Sequence, residues 1–200
     1  MPKPPLVLAA LITLVATPAF ADKTADQDEV TVERKNSVNL SPLGVLTGSY
    51  NLNYDRLFGA HGLIIESSLF ARSDDDASSG GIGAAIGYRW HLSGHQNSWF
   101  VGAMAGFLVG TGDAEIGSGV NTMRFEVDTQ VFSVVANIGK RWAWNNGLNL
   151  TIRAGAGYGN YSVTTDSQSA DAQQAVEKVD ELLSIVPVAI DGELSLGYTF

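Results

Sequence analysis

The chain has 200 residues, no cysteine and a formal net charge of −9. This length allows one ordinary domain or one small barrel, and the lack of cysteine excludes a disulfide framework and a thiolate site. The acidic balance argues against a nucleic acid partner, because proteins that bind nucleic acids need basic patches. Glycine accounts for 22 of the 200 residues, against a usual share of about 7%. This excess indicates tight turns and the crowded inward faces of a small barrel.

Residues 1–21 have the organisation of a secretory signal peptide. Lys3 supplies a positive charge, an apolar stretch follows from Leu6 to Ala16, and a small-x-small cleavage site precedes Asp22. No later stretch offers about 18 consecutive apolar residues, so the sequence excludes a helical membrane protein. We therefore expect an exported chain, with a flexible periplasmic segment at 22–36 and a barrel at 37–200.

Alternation of apolar with polar or small residues predicts eight strands, because successive side chains of a strand point to opposite faces. The fourth is the clearest in the middle of the chain, with Ile82, Ile86 and Trp90 on one phase and Gly87 and Arg89 on the other. The predicted strands span 37–46, 49–58, 63–72, 82–92, 99–109, 130–142, 148–158 and 186–200. Pro42 indicates an end or a bulge in the first strand, and residues 46–48 a tight turn.

The connections between the predicted strands alternate in length. Those at 59–62, 93–98 and 143–147 are short, whereas those at 73–81, 111–128 and 160–184 are long. Short periplasmic turns and long external loops are typical of an outer-membrane barrel, in which the apolar phase faces lipid and the polar phase lines the interior. Aromatic residues also cluster toward strand ends, as interfacial girdles require: Tyr88, Trp90, Trp99, Trp142, Trp144, Tyr158, Tyr198 and Phe200.

The last strand carries the most specific signal. It places Leu196, Tyr198 and Phe200 on one phase and ends on an aromatic residue. This pattern resembles the C-terminal signature of the small eight-stranded outer-membrane barrels, the OmpA transmembrane domain and the OmpX and Ail group. The resemblance implies an up-and-down transmembrane barrel that closes through this strand, and it implies lipid, lipopolysaccharide and the barrel assembly machinery as partners. Since the chain ends at the barrel, we expect no peptidoglycan-binding domain of the OmpA kind.

Charged residues on the inward phases predict a polar network inside the barrel. An eight-stranded barrel is only just wide enough for its side chains to fill, and opposite charges in so narrow a space should pair. The predicted network comprises Glu66, Arg72, Arg89, Arg141, Arg153, Asp191 and Glu193, with Asn53, Asp55, His91 and Asn137 on the same phases. A narrow gated pore is the functional alternative to this structural plug.

Three further readings stay open from the sequence. His91 and Ser93 match the His-x-Ser pair of lipid A deacylases, but no acid is evident nearby, so we expect no enzyme. Asp74–Asp76 could hold a divalent cation between lipopolysaccharide phosphates, although a solvated loop is the ordinary reading and we expect no metal or other cofactor. A soluble lipocalin-like carrier would place the same apolar faces inside the barrel.

The last long connection breaks the two-residue period. Ala172, Val176, Val179 and Leu183 recur at helical spacing, and Ser167 or Ser169 could cap the start of a helix over 170–183. We predict a short amphipathic helix that folds over the barrel mouth or contacts a host or envelope protein; a partly disordered segment is the alternative. The function predicted overall is a non-enzymatic structural or surface role, in adhesion or envelope stabilisation.

Overall fold

The computed structural model describes residues 34–42, 45, 48–74, 77–116 and 123–200. The predicted signal peptide, the first part of the 22–36 segment and most of the turn at 46–48 lie outside the described residues. Within the described part of the chain, no helix has the length and apolar character needed to cross a membrane.

Eight antiparallel strands form a closed barrel in which each strand pairs with its neighbours in sequence and β1 pairs with β8. The predicted all-β, eight-stranded up-and-down architecture is confirmed. The strands are β1 (Asn36–Leu40), β2 (Ser49–Phe58), β3 (His61–Asp74), β4 (Ala77–His91), β5 (Trp99–Ile116), β6 (Met123–Ala143), β7 (Leu148–Thr164) and β8 (Val188–Thr199).

One helix, α1 (Ala170–Ile185), joins β7 to β8, as predicted. Ser169 occupies the N-cap position, but its side chain makes no capping hydrogen bond. Ala172 and Val176 on α1 are buried against Phe125 of β6. The Asp180 carboxylate accepts a 2.9 Å hydrogen bond from the backbone N–H of Val163 in β7. These contacts place α1 over the mouth of the barrel.

The first strand is shorter than predicted. β1 ends at Leu40, although the backbone N–H of Ser41 still donates to the Asn51 carbonyl at 3.0 Å. Pro42 follows and offers no N–H to a ladder, which gives the physical reason for the early end. The seam between β1 and β8 pairs only residues 37–40 with 196–199, and reciprocal backbone hydrogen bonds between Asn36 and Phe200 extend it.

Several of the middle strands are longer than predicted. The ladder between β5 and β6 continues to the pair Ile116 and Met123, so most of the connection predicted at 111–128 is strand. β3 reaches Asp74, β4 begins at Ala77 and β7 reaches Thr164, which shortens the other predicted loops. Conversely, β8 begins at Val188 because α1 continues to Ile185 and Val186 follows as its C-cap.

The barrel changes polarity along its axis. At the end with the short turns and through the middle, large apolar side chains point outward and are exposed, for example Ile65, Ile86 and Ile138, while arginine and asparagine side chains are buried inside. At the opposite end, which we call the mouth, outward residues of β5 and β6 such as Glu115 and Glu126 are polar. Their inward neighbours there are apolar and pack under α1: Ala114, Met123, Phe125 and Val127.

Candidate functional site

The lumen holds a network of ion pairs, which begins around Asp55. The Oδ2 atom of Asp55 accepts from Arg141 Nη1 at 2.8 Å and from Arg89 Nη1 at 3.2 Å. Arg141 Nη2 also donates to Ser37 Oγ at 2.5 Å and to Asn39 Oδ1 at 3.4 Å. Arg141 and Asp55 are 0% and 1% exposed. Since buried charges are costly unless they are paired and hydrogen-bonded, this arrangement fixes β1, β2, β4 and β6 against one another.

Glu193 connects this cluster to a second arginine. Its Oε2 atom pairs with Arg89 Nη2 and lies 3.0 Å from Arg153 Nη1. Its Oε1 atom accepts from Ser195 Oγ at 2.6 Å and from Asn53 Nδ2 at 2.9 Å. Both oxygens of this buried carboxylate therefore have donors.

Arg153 also forms ion pairs with two carboxylates nearer the mouth. Its Nε atom lies 2.7 Å from Asp191 Oδ2. Its Nη2 atom donates to Asp191 Oδ1 at 2.9 Å and to Glu66 Oε2 at 3.1 Å. Asn137 Nδ2 donates to Asp191 at 3.4 Å. Seven of the eight charged residues that the sequence placed on the inward phases, Asp55 included, therefore meet in one continuous network.

Arg72, the eighth, lies beyond the enclosed part of the lumen. It shares the inward phase of β3 with Glu66 but lies six residues farther along the strand, where its side chain is exposed. Phase alone places a residue on a face of the sheet. It does not say that β3 runs past the enclosed part of the barrel.

The network is unbalanced in charge. It contains four carboxylates and three guanidinium groups: Asp55, Glu66, Asp191 and Glu193 against Arg89, Arg141 and Arg153. The two carboxylates nearest the mouth, Glu66 and Asp191, keep 20% and 17% of their side-chain surface exposed. They share Arg153, and they border a lumen cavity of about 260 Å³.

The predicted hydrolase pair is not brought together. His91 is fully buried, its ring lies 5.6 Å from that of Phe100, and Nδ1 lies 3.2 Å from Ser98 Oγ. Ser93 lies in the exposed turn after β4. The Ser98 hydroxyl donates to the carbonyl of Trp99 at 2.9 Å, so its proton is engaged by the backbone. His91 and Ser98 close the end of the lumen opposite the mouth.

Among the described residues, no three His, Cys, Asp or Glu side chains are placed to hold a metal ion. Asp75 and Asp76 lie outside the described residues, so the cation hypothesis for this run stays a prediction. His61 lies on the outer surface, stacked on Tyr88 with Nδ1 2.5 Å from the phenol oxygen.

The mouth contains a second cavity, which the sequence did not predict. We call it the vestibule: a space of about 550 Å³ between α1 and the inner faces of β5, β6 and β7. Its walls are mainly apolar and include Leu108, Phe125, Val127, Val163 and Val176. A signal was present at 111–128, because Ala114, Phe125 and Val127 alternate with charged residues. The many polar residues there favoured a loop instead.

The outer surface of the mouth is acidic and well ordered by hydrogen bonds. Asp113 on β5 accepts from the backbone N–H of Ser78 at 3.0 Å and from the Ser78 hydroxyl at 2.9 Å. These two donors lower the pKa of the exposed Asp113 carboxyl below its ordinary value. Arg124 donates to Glu115 across the β5–β6 pair, with Nη2 at 2.7 Å.

The residues of the predicted assembly signature lie on the outer face of the seam. Leu196, Tyr198 and Phe200 are each about half exposed. Leu196 and Tyr198 pair with Leu40 and Val38 of β1. Comparison with protein-family models, with curated proteins and with solved structures finds no match for this chain.

Proposed function

We propose that this chain is an integral outer-membrane β-barrel protein with a non-enzymatic role, in stabilising the envelope or in contacts at the cell surface. The observation that carries the proposal is the polarity of the barrel. Large apolar side chains are exposed around the outside, while Arg89 and Arg141 are 1% and 0% exposed inside. In a soluble barrel the apolar face would be the buried one. In a membrane barrel the apolar face meets lipid.

The switch of polarity at the mouth supports the same placement. A tilted strand needs about 9–11 residues to cross the hydrocarbon core, whereas β5, β6 and β7 have 18, 21 and 17 residues. The surplus lies at the mouth, where the outer face of the sheet turns polar and the inner face apolar. That is the arrangement of a barrel that continues into water, so the membrane boundary belongs at this change.

The aromatic residues fit the opposite boundary. All four tryptophans of the chain, Trp90, Trp99, Trp142 and Trp144, lie near the short turns. Tryptophan prefers the headgroup region of a bilayer. Short turns are typical of the periplasmic side of such barrels, so in this proposal the mouth with α1 faces outward.

Ion pairs that span the lumen favour a structural role over a pore. The paired side chains of the network cross the barrel from β2 to β6 and from β3 to β7, and an eight-stranded barrel has little room beyond its side chains. The residues available to a partner are those of the mouth and α1. Lipopolysaccharide, a host or envelope protein, and the barrel assembly machinery at the C-terminal strand are the partners that the resemblance to small outer-membrane barrels implies.

Surface labelling tests the proposed topology, because the chain has no cysteine of its own. Gln168→Cys lies at an exposed position in the connection before α1, and Asn97→Cys at an exposed position in the turn between β4 and β5. In intact cells a membrane-impermeant maleimide should label the first and not the second. Labelling of both, or of the second alone, would contradict the topology.

The role is tested in a strain that lacks the protein and in its complemented parent. We expect the deletion to raise uptake of a hydrophobic dye across the outer membrane, or to reduce attachment to host cells. Complementation with the chain should restore the parent phenotype. A deletion strain that matches its parent in both assays would contradict the proposed role.

A further inference from the structure

The vestibule has the size and lining of a ligand site. Small-molecule sites enclose about 300–1,000 Å³ with mostly apolar walls and a few polar groups, and this cavity measures about 550 Å³. Val176 and Val179 of α1 line the space together with Phe125 and Val127 of β6. Gly110 and Gly112 of β5 also line the space.

The lumen cavity lies below the vestibule, and Leu108 contributes to the walls of both. This deeper space of about 260 Å³ is bordered by Glu66, Asp191, Ser68 and Ser133. Both carboxylates accept hydrogen bonds from the same Nη2 atom of Arg153, which keeps them close together. An apolar space thus leads down to a pair of carboxylates.

Charge decides which ligand suits this pair of cavities. The enclosed side chains of the network include four carboxylates for three guanidinium groups, and an incompletely balanced charge in the interior is expensive. The missing positive charge belongs beside Glu66 and Asp191, the two carboxylates that border the cavity. The mouth above adds to the negative potential, since α1 carries Asp171, Glu177, Asp180 and Glu181 against Lys178 alone. Such a field attracts cations and repels anions.

We propose that the two cavities together bind a single-chain amphiphile with a cationic ammonium head group. The head lies in the lumen cavity beside Glu66 and Asp191, where it adds a positive charge. The hydrocarbon chain passes Leu108 and occupies the vestibule under α1. A metal ion fits less well, because the described residues offer no cluster of three ligands there and the walls above are apolar.

The test uses the folded protein in phosphatidylcholine nanodiscs, with methyl groups labelled for NMR. Three amphiphiles of equal chain length are titrated: dodecyltrimethylammonium, dodecanoate and dodecyl maltoside. We expect saturable shifts of the Leu108, Val163 and Val176 methyl signals with the ammonium compound, and at least tenfold weaker binding of the other two. Ile86, which is exposed on the outer face, should show no saturable shift.

Two pairs of variants locate the head and the chain. Glu66→Gln should weaken binding of the ammonium compound at least tenfold, while Glu126→Gln, the same change on the outer face of β6, should change it less than twofold. Ala175→Trp fills the vestibule and should abolish saturation, while Ala170→Trp, at the exposed start of α1, should not. If Glu66→Gln does not fold, Asp191→Asn serves in its place.

Several results would overturn the proposal. One is equal binding of the three amphiphiles, or saturation by none of them. Another is unchanged binding in both carboxylate variants, which would remove the head-group site. Normal saturation in folded Ala175→Trp would show that the chain does not occupy the vestibule.

Discussion

The Asp55 carboxylate should be a principal determinant of barrel stability. One of its oxygens, Oδ2, serves both Arg141 and Arg89, and all three side chains are at most 1% exposed. Asp55→Asn keeps the shape but removes the charge. Breaking a buried ion pair by removing one partner costs about 3–5 kcal/mol. Because Arg89 retains Glu193, we expect the lower end, about 3 kcal/mol, or roughly a hundredfold in the unfolding equilibrium constant.

The matched control is the exposed pair at the mouth. Glu115 and Arg124 are 43% and 46% exposed, and surface pairs contribute about 0–1 kcal/mol. Glu115→Gln should therefore leave the free energy of unfolding nearly unchanged. Adding Arg141→Met to Asp55→Asn should cost less than the sum of the single changes, because the double variant leaves fewer buried charges unpaired.

Urea unfolding in lipid vesicles, followed by tryptophan fluorescence, measures these free energies. An Asp55→Asn cost below about 1 kcal/mol, equal to that of Glu115→Gln, would refute the reasoning. It would mean that water screens the lumen charges as it screens those on the surface.

Three further outcomes follow from the structure. Ile86→Arg, in the middle of the outer face, should lower the free energy of unfolding in vesicles by about 2–4 kcal/mol. Gln130→Arg, near the mouth, should lower it by under about 1 kcal/mol. Equal losses would contradict a depth-dependent lipid contact. Gly139→Ala should lower the free energy of unfolding by about 1–3 kcal/mol through overpacking. The new Cβ would lie against the Phe100 ring and 2.5 Å from the Ile152 carbonyl oxygen. An unchanged urea midpoint of unfolding would count against this close packing. The pKa of Asp113, followed by NMR, should lie below that of an aspartate in the unfolded chain. The stabilisation from the Asp113 carboxylate is therefore present above the unfolded-state pKa and is lost as pH falls through the folded-state pKa. Ser78→Ala should raise the pKa of Asp113 only in part, since the backbone N–H of residue 78 still donates.

The enclosed part of the barrel could be predicted from the sequence because the facing of each side chain depends only on its position within its own strand. A two-residue period sets which face each side chain occupies, as in β4, where Ile86 is exposed and Arg89 is buried. The same period in β8 places Leu196 and Tyr198 outside. Strand count, order and facing follow from this pattern and from the turns.

The mouth could not be predicted in the same way, because its polarity is reversed. The stretch around Asp113, Glu115 and Phe125 has many charges and little outward apolar surface, which is typical of a loop. In the structure it is strand, and its apolar residues face α1. Only the contact with the helix explains why these residues are apolar.

The connectivity of the lumen network is also beyond a strand pattern. Arg141 meets Asp55 across the barrel, 86 residues away in sequence. Which arginine pairs with which carboxylate depends on register and on depth. Arg72 shows the consequence, since it has the right phase but lies beyond the enclosed part of the lumen.

Membrane location is the central claim, and the most direct measurement is the gel migration of isolated outer membranes with and without boiling. A folded barrel resists detergent until it is heated. The account predicts that the protein is recovered in the outer-membrane fraction and shifts its apparent mass on boiling. Recovery as a soluble periplasmic protein with no shift would contradict the account and would assign the exposed apolar face to a different partner.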